Sequence, residues 1–261
     1  MCLILFAHEC HPEYRLILAA NRDEFYDRPS ASLSFWRDSP GVLAGRDLKS
    51  GGTWLGITRN GRIAAITNFR DPASMMPDAP SRGDLVSRFL QGNDSPETYL
   101  QNVRTTGGRY NGFNLLAGQG RDLYYYSNRG GDVEKISPGI YGLSNDLLDV
   151  PWPKVAKGKR ALQCLLDHRK MLDPRDVFAL LRDDAYAPDE SLPETGVGVV
   201  WEKILSPVFI SSRIYGTRCS SVLLVERTGK ISFLEKTYER EGGMINEKKC
   251  VAFELKLYVT N

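Results

Sequence analysis

Short apolar runs separated by turn residues fill the first half of the chain, and this pattern predicts strands. Cys2 to Ala7 is apolar throughout. It lacks a basic leading region and runs directly into polar residues at 8–11, so we interpret it as a buried first strand rather than a signal peptide. A second strand, Tyr14 to Ala20, is expected after a turn at Pro12.

Three pairs of later segments predict hairpins. Thr53 to Arg59 and Arg62 to Phe69 flank Asn60-Gly61, the dipeptide that favours a tight type I′ turn. The other two pairs enclose glycine-containing connections and comprise Phe113 to Ala117 with Leu123 to Tyr126, and Ser220 to Glu226 with Lys230 to Glu235. Alternating apolar residues predict a last strand with one buried face, formed by Val251, Phe253, Leu255 and Leu257.

Helices are predicted in two regions, Ser81 to Val103 and Trp152 to Arg182, where apolar residues recur at helical spacing. Ser95-Pro96 is a helix-start signal within the first region, and Asp173-Pro174 is one within the second. The segment 183–198 is rich in Asp, Glu, Pro and Gly, which predicts a loop.

The order of these elements, hairpins then helices then hairpins, predicts one α+β domain over residues 1–261, with antiparallel sheets and helices packed outside them. The chain has 42% hydrophobic and 25% charged residues, which excludes a mainly disordered or coiled-coil protein. A net charge of +2 leaves no basic excess for binding nucleic acid. No apolar run approaches the ~18 residues that a membrane span requires.

Five cysteines stand at irregular spacings, and their odd number argues against a disulfide framework or a structural zinc site. We therefore expect reduced thiols and a cytoplasmic location. Cys2 is a candidate nucleophile, because removal of a methionine before a small residue would leave its α-amino group free. That amine, with a pKa of about 7.7–8.0, can act as the base for a thiol with a pKa of about 8.5. The alternative is a small buried residue at the start of a strand.

Four polar residues, Asn21-Arg22-Asp23-Glu24, directly follow the apolar second strand. A carboxylate there could orient an amine or thiol, and an arginine could fix that carboxylate or a ligand anion. The alternative is a solvated polar turn. Asn68 and Asn145 are candidate donors to a developing oxyanion, and Arg218 opens a strand near the end of the chain. For each of these three, a turn or edge residue is the alternative.

Seven motifs occur in an order that is characteristic of one family. They are Asn21-Arg22-Asp23-Glu24-Phe25, Gly51-Gly52-Thr53-Trp54-Leu55-Gly56, Thr67-Asn68-Phe69, Tyr110-Asn111-Gly112-Phe113-Asn114-Leu115, Tyr141-Gly142-Leu143-Ser144-Asn145, Pro151-Trp152 and Tyr215-Gly216-Thr217-Arg218. From Met1-Cys2 to the last strand, the chain resembles the NRDE family, also called the transport-and-Golgi-organization protein 2 family.

The resemblance implies an N-terminal-nucleophile hydrolase-like fold, a four-layer αββα sandwich of two antiparallel sheets between helical layers. It extends distantly to the cysteine amidases that include choloylglycine hydrolases and penicillin V acylases. Those enzymes carry an initial Cys, an early Arg and Asp, two Asn and a late Arg. On this basis we assign catalytic roles to Cys2, Asp23, Asn68, Asn145 and Arg218, and ligand binding to Asn21, Arg22, Glu24 and Arg218. The amidases separate their Arg and Asp, whereas Arg22 and Asp23 adjoin and would point to opposite faces of a strand.

The resemblance implies two different functions. Members of the family are linked to haem trafficking out of membranes and storage sites, and to acyl-coenzyme A or lipid handling. This implies a cytoplasmic carrier with a small-molecule partner, haem or acyl-coenzyme A, with transient membrane contact and no required cofactor. The alternative is a hydrolase or acyltransferase that uses Cys2 against an amide or thioester. For haem, the candidate axial ligands cluster at His8, Cys10 and His11, where an exposed turn is the alternative.

Overall fold

Two antiparallel β-sheets form the framework of the computed structural model, which describes residues 2–257. Each sheet belongs to one of two compact units. Unit 1 consists of residues 2–27, 138–144 and 148–257, and unit 2 consists of residues 28–137 and 145–147. The predicted α+β class with antiparallel sheets is confirmed. The expectation of one family domain over residues 1–261 stays a prediction.

Unit 1 contains a six-stranded sheet. In spatial order its strands are β10 (Gly139–Leu143), β1 (Cys2–His8), β2 (Tyr14–Phe25), β11 (Tyr215–Glu226), β12 (Lys230–Glu241) and β13 (Met244–Lys256). Its helices are α3 (Pro153–His168), α4 (Pro174–Leu181) and the short α5 (Val199–Ile204). Helices α3 and α4 pack on one face of the sheet, where they contact β1, β2, β10 and β11.

Unit 2 contains a seven-stranded sheet. Its strands lie in sequence order and are β3 (Ser30–Phe35), β4 (Val42–Asp47), β5 (Leu55–Thr58), β6 (Arg62–Asn68), β7 (Phe113–Gln119), β8 (Asp122–Ser127) and β9 (Glu134–Lys135). Its helices are α1 (Gly83–Gln91) and α2 (Pro96–Thr106), and they pack against β6, β7 and β8.

An apolar cluster joins helices to sheet in each unit. In unit 1, alternate residues of β1, Leu3, Leu5 and Ala7, pack with the α3 residues Val155 and Leu162. In unit 2, Phe89 of α1, Leu100 of α2 and Phe113 of β7 belong to one apolar cluster, and all three are fully buried. In both units, alternate residues of the strands pack against apolar residues that recur at helical spacing. This is the pattern that the sequence predicts.

The predicted helix-start signals are confirmed at two positions. The Ser95 hydroxyl accepts a hydrogen bond from the Thr98 backbone N–H, and the Asp173 carboxylate accepts one from Arg175. The first helix begins at Gly83 rather than at Ser81. None of the helices within residues 2–257 is long and apolar enough to cross a membrane.

The hairpin at Asn60-Gly61 forms as predicted, but its predicted turn type is wrong. A type I′ turn needs positive φ at both central residues. Here the loop spans residues 59–61, the Gly61 N–H donates to the Thr58 carbonyl at 3.0 Å, and within the loop only Gly61 has positive φ, at 78°. The extra loop residue makes a type I turn followed by a left-handed glycine.

The last strand also differs from its prediction. Val251, Phe253 and Leu255 share one face of β13, as their alternation predicts, but all three are only half-buried. Because β13 is at the edge of its sheet, that face is covered less completely than the central strands are.

Candidate active site around Cys2

The sequence predicts that strand β2 ends at Ala20, but the strand is longer. It continues through Asn21-Arg22-Asp23-Glu24 to Phe25, with β1 on one side and β11 on the other. Asn21, Arg22 and Asp23 are all buried, with at most 5% of their surface exposed. The alternative of a solvated polar turn is therefore wrong for this segment.

The register of three strands places two thiols on either side of Arg22. Cys2 lies directly opposite Arg22 across β1 and β2, and Cys219 lies directly opposite Arg22 across β2 and β11. Directly opposed residues in an antiparallel pair point to the same face of the sheet. Cys2, Arg22 and Cys219 therefore form one row on the face opposite α3 and α4.

Asp23 lies on the other face, as expected for the neighbour of Arg22 in a strand. Its carboxylate accepts a hydrogen bond from the Thr217 hydroxyl at 2.7 Å, and its backbone carbonyl accepts one from the Tyr215 hydroxyl at 2.8 Å. The Thr217 hydroxyl in turn accepts the Ile210 backbone N–H at 2.9 Å. These contacts fix the position of the Asp23 carboxylate inside unit 1.

Burial and neighbouring charges change the pKa values of the groups around Cys2. Burial raises the pKa of the Cys2 thiol, the Asp23 carboxylate also raises it, and Arg22 and the Asp23 backbone N–H lower it. Burial likewise raises the pKa of Asp23, and the positive charge of Lys154 is the largest influence that opposes this. For Cys219, burial raises the pKa well above its usual value, and Glu235 raises it further.

Arg218 lies in the register shift between Thr217 and Cys219, where β11 departs from regular pairing with β2. Its guanidinium donates to the backbone carbonyls of Phe25 at 2.8 Å and Tyr26 at 3.0 Å. Burial lowers the pKa of Arg218, and the neighbouring charge of Arg22 lowers it further. Arg218 is thus close enough to Arg22 for the two charges to interact, and its predicted site role stays a prediction.

The two remaining residues of the NRDE segment have different surroundings. Both amide hydrogens of Asn21 donate to carbonyls, those of Leu181 at 2.9 Å and Val208 at 2.8 Å, and its oxygen accepts the Ser220 hydroxyl at 2.6 Å. These bonds tie β2 to α4 and β11. Glu24 is partly exposed, and its carboxylate lies 3.9 Å from the Arg22 guanidinium.

Unit 2 brings the two predicted asparagines together. The Asn145 side-chain amide donates to the Asn68 carbonyl at 2.8 Å, and the Asn145 carbonyl accepts the Arg70 backbone N–H at 2.7 Å. Asn145 is fully buried, and Asn68 is half-buried. The structure therefore forms two groups, one around Cys2 in unit 1 and one around Asn145 in unit 2. Their convergence on one cleft stays a prediction.

Two residues near Asp23 were missed by the site prediction. Lys154 is 3% exposed although it lies in the first turn of α3. It stands eight residues before the buried Leu162, so helical periodicity places both on the core-facing side, and this spacing was an available signal. Thr217 belongs to the motif that carries Arg218, but a lone threonine gives no signal of its long-range bond to Asp23.

The predicted haem-ligand cluster is held by its own hydrogen bonds. His11 is buried, its Nδ1 accepts the Glu13 backbone N–H at 3.2 Å, and its Nε2 lies 3.3 Å from the Arg169 carbonyl. Cys10 is exposed, and its thiol donates to the Gly139 carbonyl at 3.3 Å. Both ring nitrogens of His11 are thus engaged within unit 1.

Comparison with solved structures identifies the fold. The chain is similar to a Caenorhabditis elegans N-acylethanolamine-hydrolyzing acid amidase ortholog, with a TM-score of 0.51 and 9% sequence identity, over 85% of this chain and 92% of that one. This likeness shows the N-terminal-nucleophile hydrolase-like fold that the sequence motifs predict.

Comparison with known sequences identifies the family. The Mus musculus Transport and Golgi organization 2 homolog is 40% identical over 260 residues, which cover 91% of this chain and 93% of that protein. The Homo sapiens homolog is 38% identical over 258 residues, with 91% and 93% covered, and the Drosophila melanogaster protein is 30% identical over 263 residues, with 91% and 92% covered. Residues 1–240 match the model of the Transport and Golgi organisation 2 (TANGO2) family. The chain therefore belongs to the TANGO2 family.

Proposed function

We propose that this protein processes an acyl group at Cys2, as a hydrolase or acyltransferase that acts on an amide or a thioester. The observation that carries the proposal is the strand register that sets Cys2 directly opposite the buried Arg22. A buried guanidinium beside a thiol stabilises the thiolate, which is the nucleophilic form of cysteine. The Asp23 backbone N–H also lowers the pKa of the thiol, although the Asp23 carboxylate raises it.

The reaction begins once Met1 has been removed, because Cys2 then supplies both nucleophile and base. Its α-amine takes the thiol proton, the sulfur attacks the carbonyl carbon, and a tetrahedral oxyanion forms. Collapse of this intermediate leaves the acyl group on sulfur as a thioester, and the amine returns the proton to the departing nitrogen or sulfur. Water or a second nucleophile then releases the acyl group. In this scheme Asp23 orients the amine, and Asn68 or Asn145 donates to the oxyanion.

Turnover measurements on variants test this proposal. A panel of long-chain acyl amides and acyl thioesters is incubated with protein whose N-terminus has been sequenced, and the released amine or thiol is quantified. Cys2→Ala is expected to abolish turnover, and Cys2→Ser to reduce it by at least about a thousand-fold, since it removes the nucleophilic thiolate. The exposed Cys164 provides the control, because Cys164→Ala leaves the site intact. Turnover that persists in Cys2→Ala would contradict the proposal.

A second candidate is a carrier that binds haem or acyl-coenzyme A without reaction. Two observations favour it: burial raises the pKa of the Cys2 thiol, which reduces the thiolate population, and Arg22 lies near Arg218. Two neighbouring guanidinium groups suit a propionate or phosphate, because each can pair with such an anion through parallel hydrogen bonds. We propose the cytoplasm as the location for either function, since all five cysteines are free thiols.

Direct titration separates the two candidates. Purified protein is titrated with haem, and separately with a long-chain acyl-coenzyme A, while release of free coenzyme A is followed. A carrier shows saturable binding without breakdown of the ligand. Arg22→Ala or Arg218→Ala is then expected to weaken binding by about 1.5–3 kcal/mol, the scale of a charge-assisted hydrogen bond, or roughly ten- to a hundred-fold. Steady, Cys2-dependent release of coenzyme A would instead support the enzyme.

A further inference from the structure

A buried glutamate, Glu235, lies on the same face of the unit 1 sheet as the row of Cys2, Arg22 and Cys219. Glu235 is 1% exposed and belongs to β12, where it lies directly opposite Ser221 of β11. Ser221 and Cys219 are two residues apart in β11, so their side chains point to the same face. Because directly opposed residues share a face, Glu235 also lies on the face that carries Cys2.

The positions between Glu235 and Arg22 on this face carry small side chains. Strand β11 lies between β2 and β12, with Cys219 directly opposite Arg22, and Ser221 directly opposite both Ala20 and Glu235. From the usual spacing of strands and residues, the Cα atoms of Arg22 and Glu235 are about 12 Å apart along a diagonal of the sheet. Long side chains interact along such diagonals, and the small residues leave space for the two charged groups to approach.

The Cys219 thiol links the two charged groups. Burial has the largest effect on the pKa of this thiol and raises it. The Glu235 carboxylate raises the same pKa through its charge and through a hydrogen bond from the thiol, whereas Arg22 lowers it. One thiol is therefore influenced by a buried anion and a buried cation at the same time.

Burial favours a pairing of these two charges. A charge in a protein interior costs much less free energy when an opposite charge accompanies it. The other charged residues around the row are Glu24, Asp23, Arg218 and Lys249. Glu24 is partly exposed, Lys249 is exposed, and Asp23 points to the other face. Glu235 thus shares both burial and sheet face with Arg22.

From this arrangement we propose that Glu235 is a positioning residue of the Cys2 site, whose carboxylate pairs with Arg22 across Cys219 and offsets the charge that Arg22 exerts on Cys2. The proposal rests on the proposed role of Cys2 as a nucleophile. Strands β1 and β12 are three strand spacings apart, or about 14 Å, so Glu235 acts on the Cys2 thiol through Arg22 rather than directly. A neutral residue at position 235 leaves Arg22 with its full effect, which favours the thiolate.

The pH dependence of Cys2 alkylation by iodoacetamide tests the proposal, followed by mass spectrometry of the Cys2 peptide. Glu235→Gln is expected to lower the midpoint by about one pH unit, which makes alkylation below the midpoint about ten-fold faster. Glu235→Asp keeps the charge and should restore most of the wild-type value. In an Arg22→Met background, Glu235→Gln should not move the midpoint, because the residue through which it acts is gone.

Two matched variants serve as controls. Glu9→Gln removes a carboxylate that is 14% exposed and pairs with Arg227 just beyond the other end of β1. Lys249→Met removes the exposed cation of β13 that lies across from Thr237. Both should keep the wild-type midpoint of Cys2 alkylation.

Alkylation needs no acyl substrate, so this result does not depend on whether the protein turns over an amide or a thioester. An unchanged or raised midpoint in Glu235→Gln would overturn the proposal. So would a shift of the same size in Glu235→Asp, or in the Arg22→Met background.

Urea denaturation provides a second test that holds even if Glu235→Gln does not fold. Loss of one partner of a buried ion pair destabilises a protein more than loss of both. Arg22→Met/Glu235→Met should therefore regain at least half of the urea midpoint that Glu235→Met alone loses. A double variant without this recovery would show that the two charges are not paired and would overturn the proposal.

Discussion

Each unit buries one arginine within a central strand, and the two arginines have different neighbours. In unit 2, Arg62 is 2% exposed and donates twice to the Phe89 carbonyl, at 2.9 and 3.0 Å, near the end of α1. In unit 1, Arg22 is 5% exposed and lies between Cys2 and Cys219 in the strand register. Arg62 binds a carbonyl near the end of a helix, whereas Arg22 lies beside two thiols. Burial of a charge therefore does not identify a site until the chemistry of its neighbours is known.

The largest expected effect is on stability, at Arg62. Arg62→Met leaves the buried Phe89 carbonyl without its charged donor, so we expect the free energy of unfolding to fall by about 3 kcal/mol. Urea denaturation followed by circular dichroism measures this. A loss below about 1 kcal/mol would contradict the structural role of Arg62.

Unlike Arg62, Arg22 is expected to affect the reactivity of Cys2 more than the stability of the protein. Arg22→Met removes the positive charge that lowers the pKa of the Cys2 thiol, so that pKa rises and less thiolate exists at a given pH. We expect the rate of Cys2 alkylation by iodoacetamide near pH 8 to fall by about ten- to a hundred-fold. The pH midpoint of alkylation should move upward. Arg22→Lys keeps the charge and is the control. An unchanged midpoint in Arg22→Met would contradict the proposed effect of Arg22 on the Cys2 thiol.

Thr217 tests whether Asp23 is held in its ionised form. The Thr217 hydroxyl lowers the pKa of Asp23, so Thr217→Val, which keeps the shape, should raise that pKa further. If ionised Asp23 orients the amine, the acid limb of the pH–rate profile moves to higher pH, and activity on that limb falls about five-fold. Thr53→Val, at a buried threonine of unit 2 away from the proposed site residues, is the matched control. A profile that does not move would argue that Asp23 has only a structural role.

The smallest effect concerns a turn that both units share. Gly61 in unit 2 and Gly229 in unit 1 each close a three-residue hairpin loop with positive φ, at 78° and 84°. Alanine is strained in this conformation, so Gly61→Ala and Gly229→Ala should each cost about 1 kcal/mol of stability. Thermal denaturation of both variants checks this, and a cost at only one of the two would show that the turns are not equivalent.

Features of the fold that depend on neighbouring residues could be predicted from the sequence, whereas features that depend on distant residues could not. The hairpins and the caps at Ser95 and Asp173 depend on neighbouring residues, and all of them form, although the turn at Asn60-Gly61 is not of the predicted type. The continuation of β2 through Asn21 rests on carbonyls at positions 181 and 208, which no local pattern reveals. A polar run interrupts the apolar periodicity and therefore resembles a turn until its distant partners are known.

The same difference between local and long-range interactions applies to the candidate site. The position after Met1 pointed to Cys2 and the ordered motifs pointed to Arg22 and Arg218; Cys2 lies opposite Arg22, and the charge of Arg22 acts on Arg218. They did not point to Lys154 or Cys219, because the long-range contacts of these residues leave no local pattern in the sequence. Their proximity to Asp23 and Arg22 arises from helix packing and from pairing of β2 with β11.

The most direct test of the account is peptide-level mass spectrometry of the protein after reaction with an acyl thioester. We expect Met1 to be absent and the mass of one acyl group to appear on Cys2 in the wild type. The adduct should form more slowly in Arg22→Met and should be missing from Cys2→Ala, with no label on Cys219. Protein without Met1 that binds the thioester but never acquires the acyl mass on Cys2 would contradict the central claim and favour a carrier.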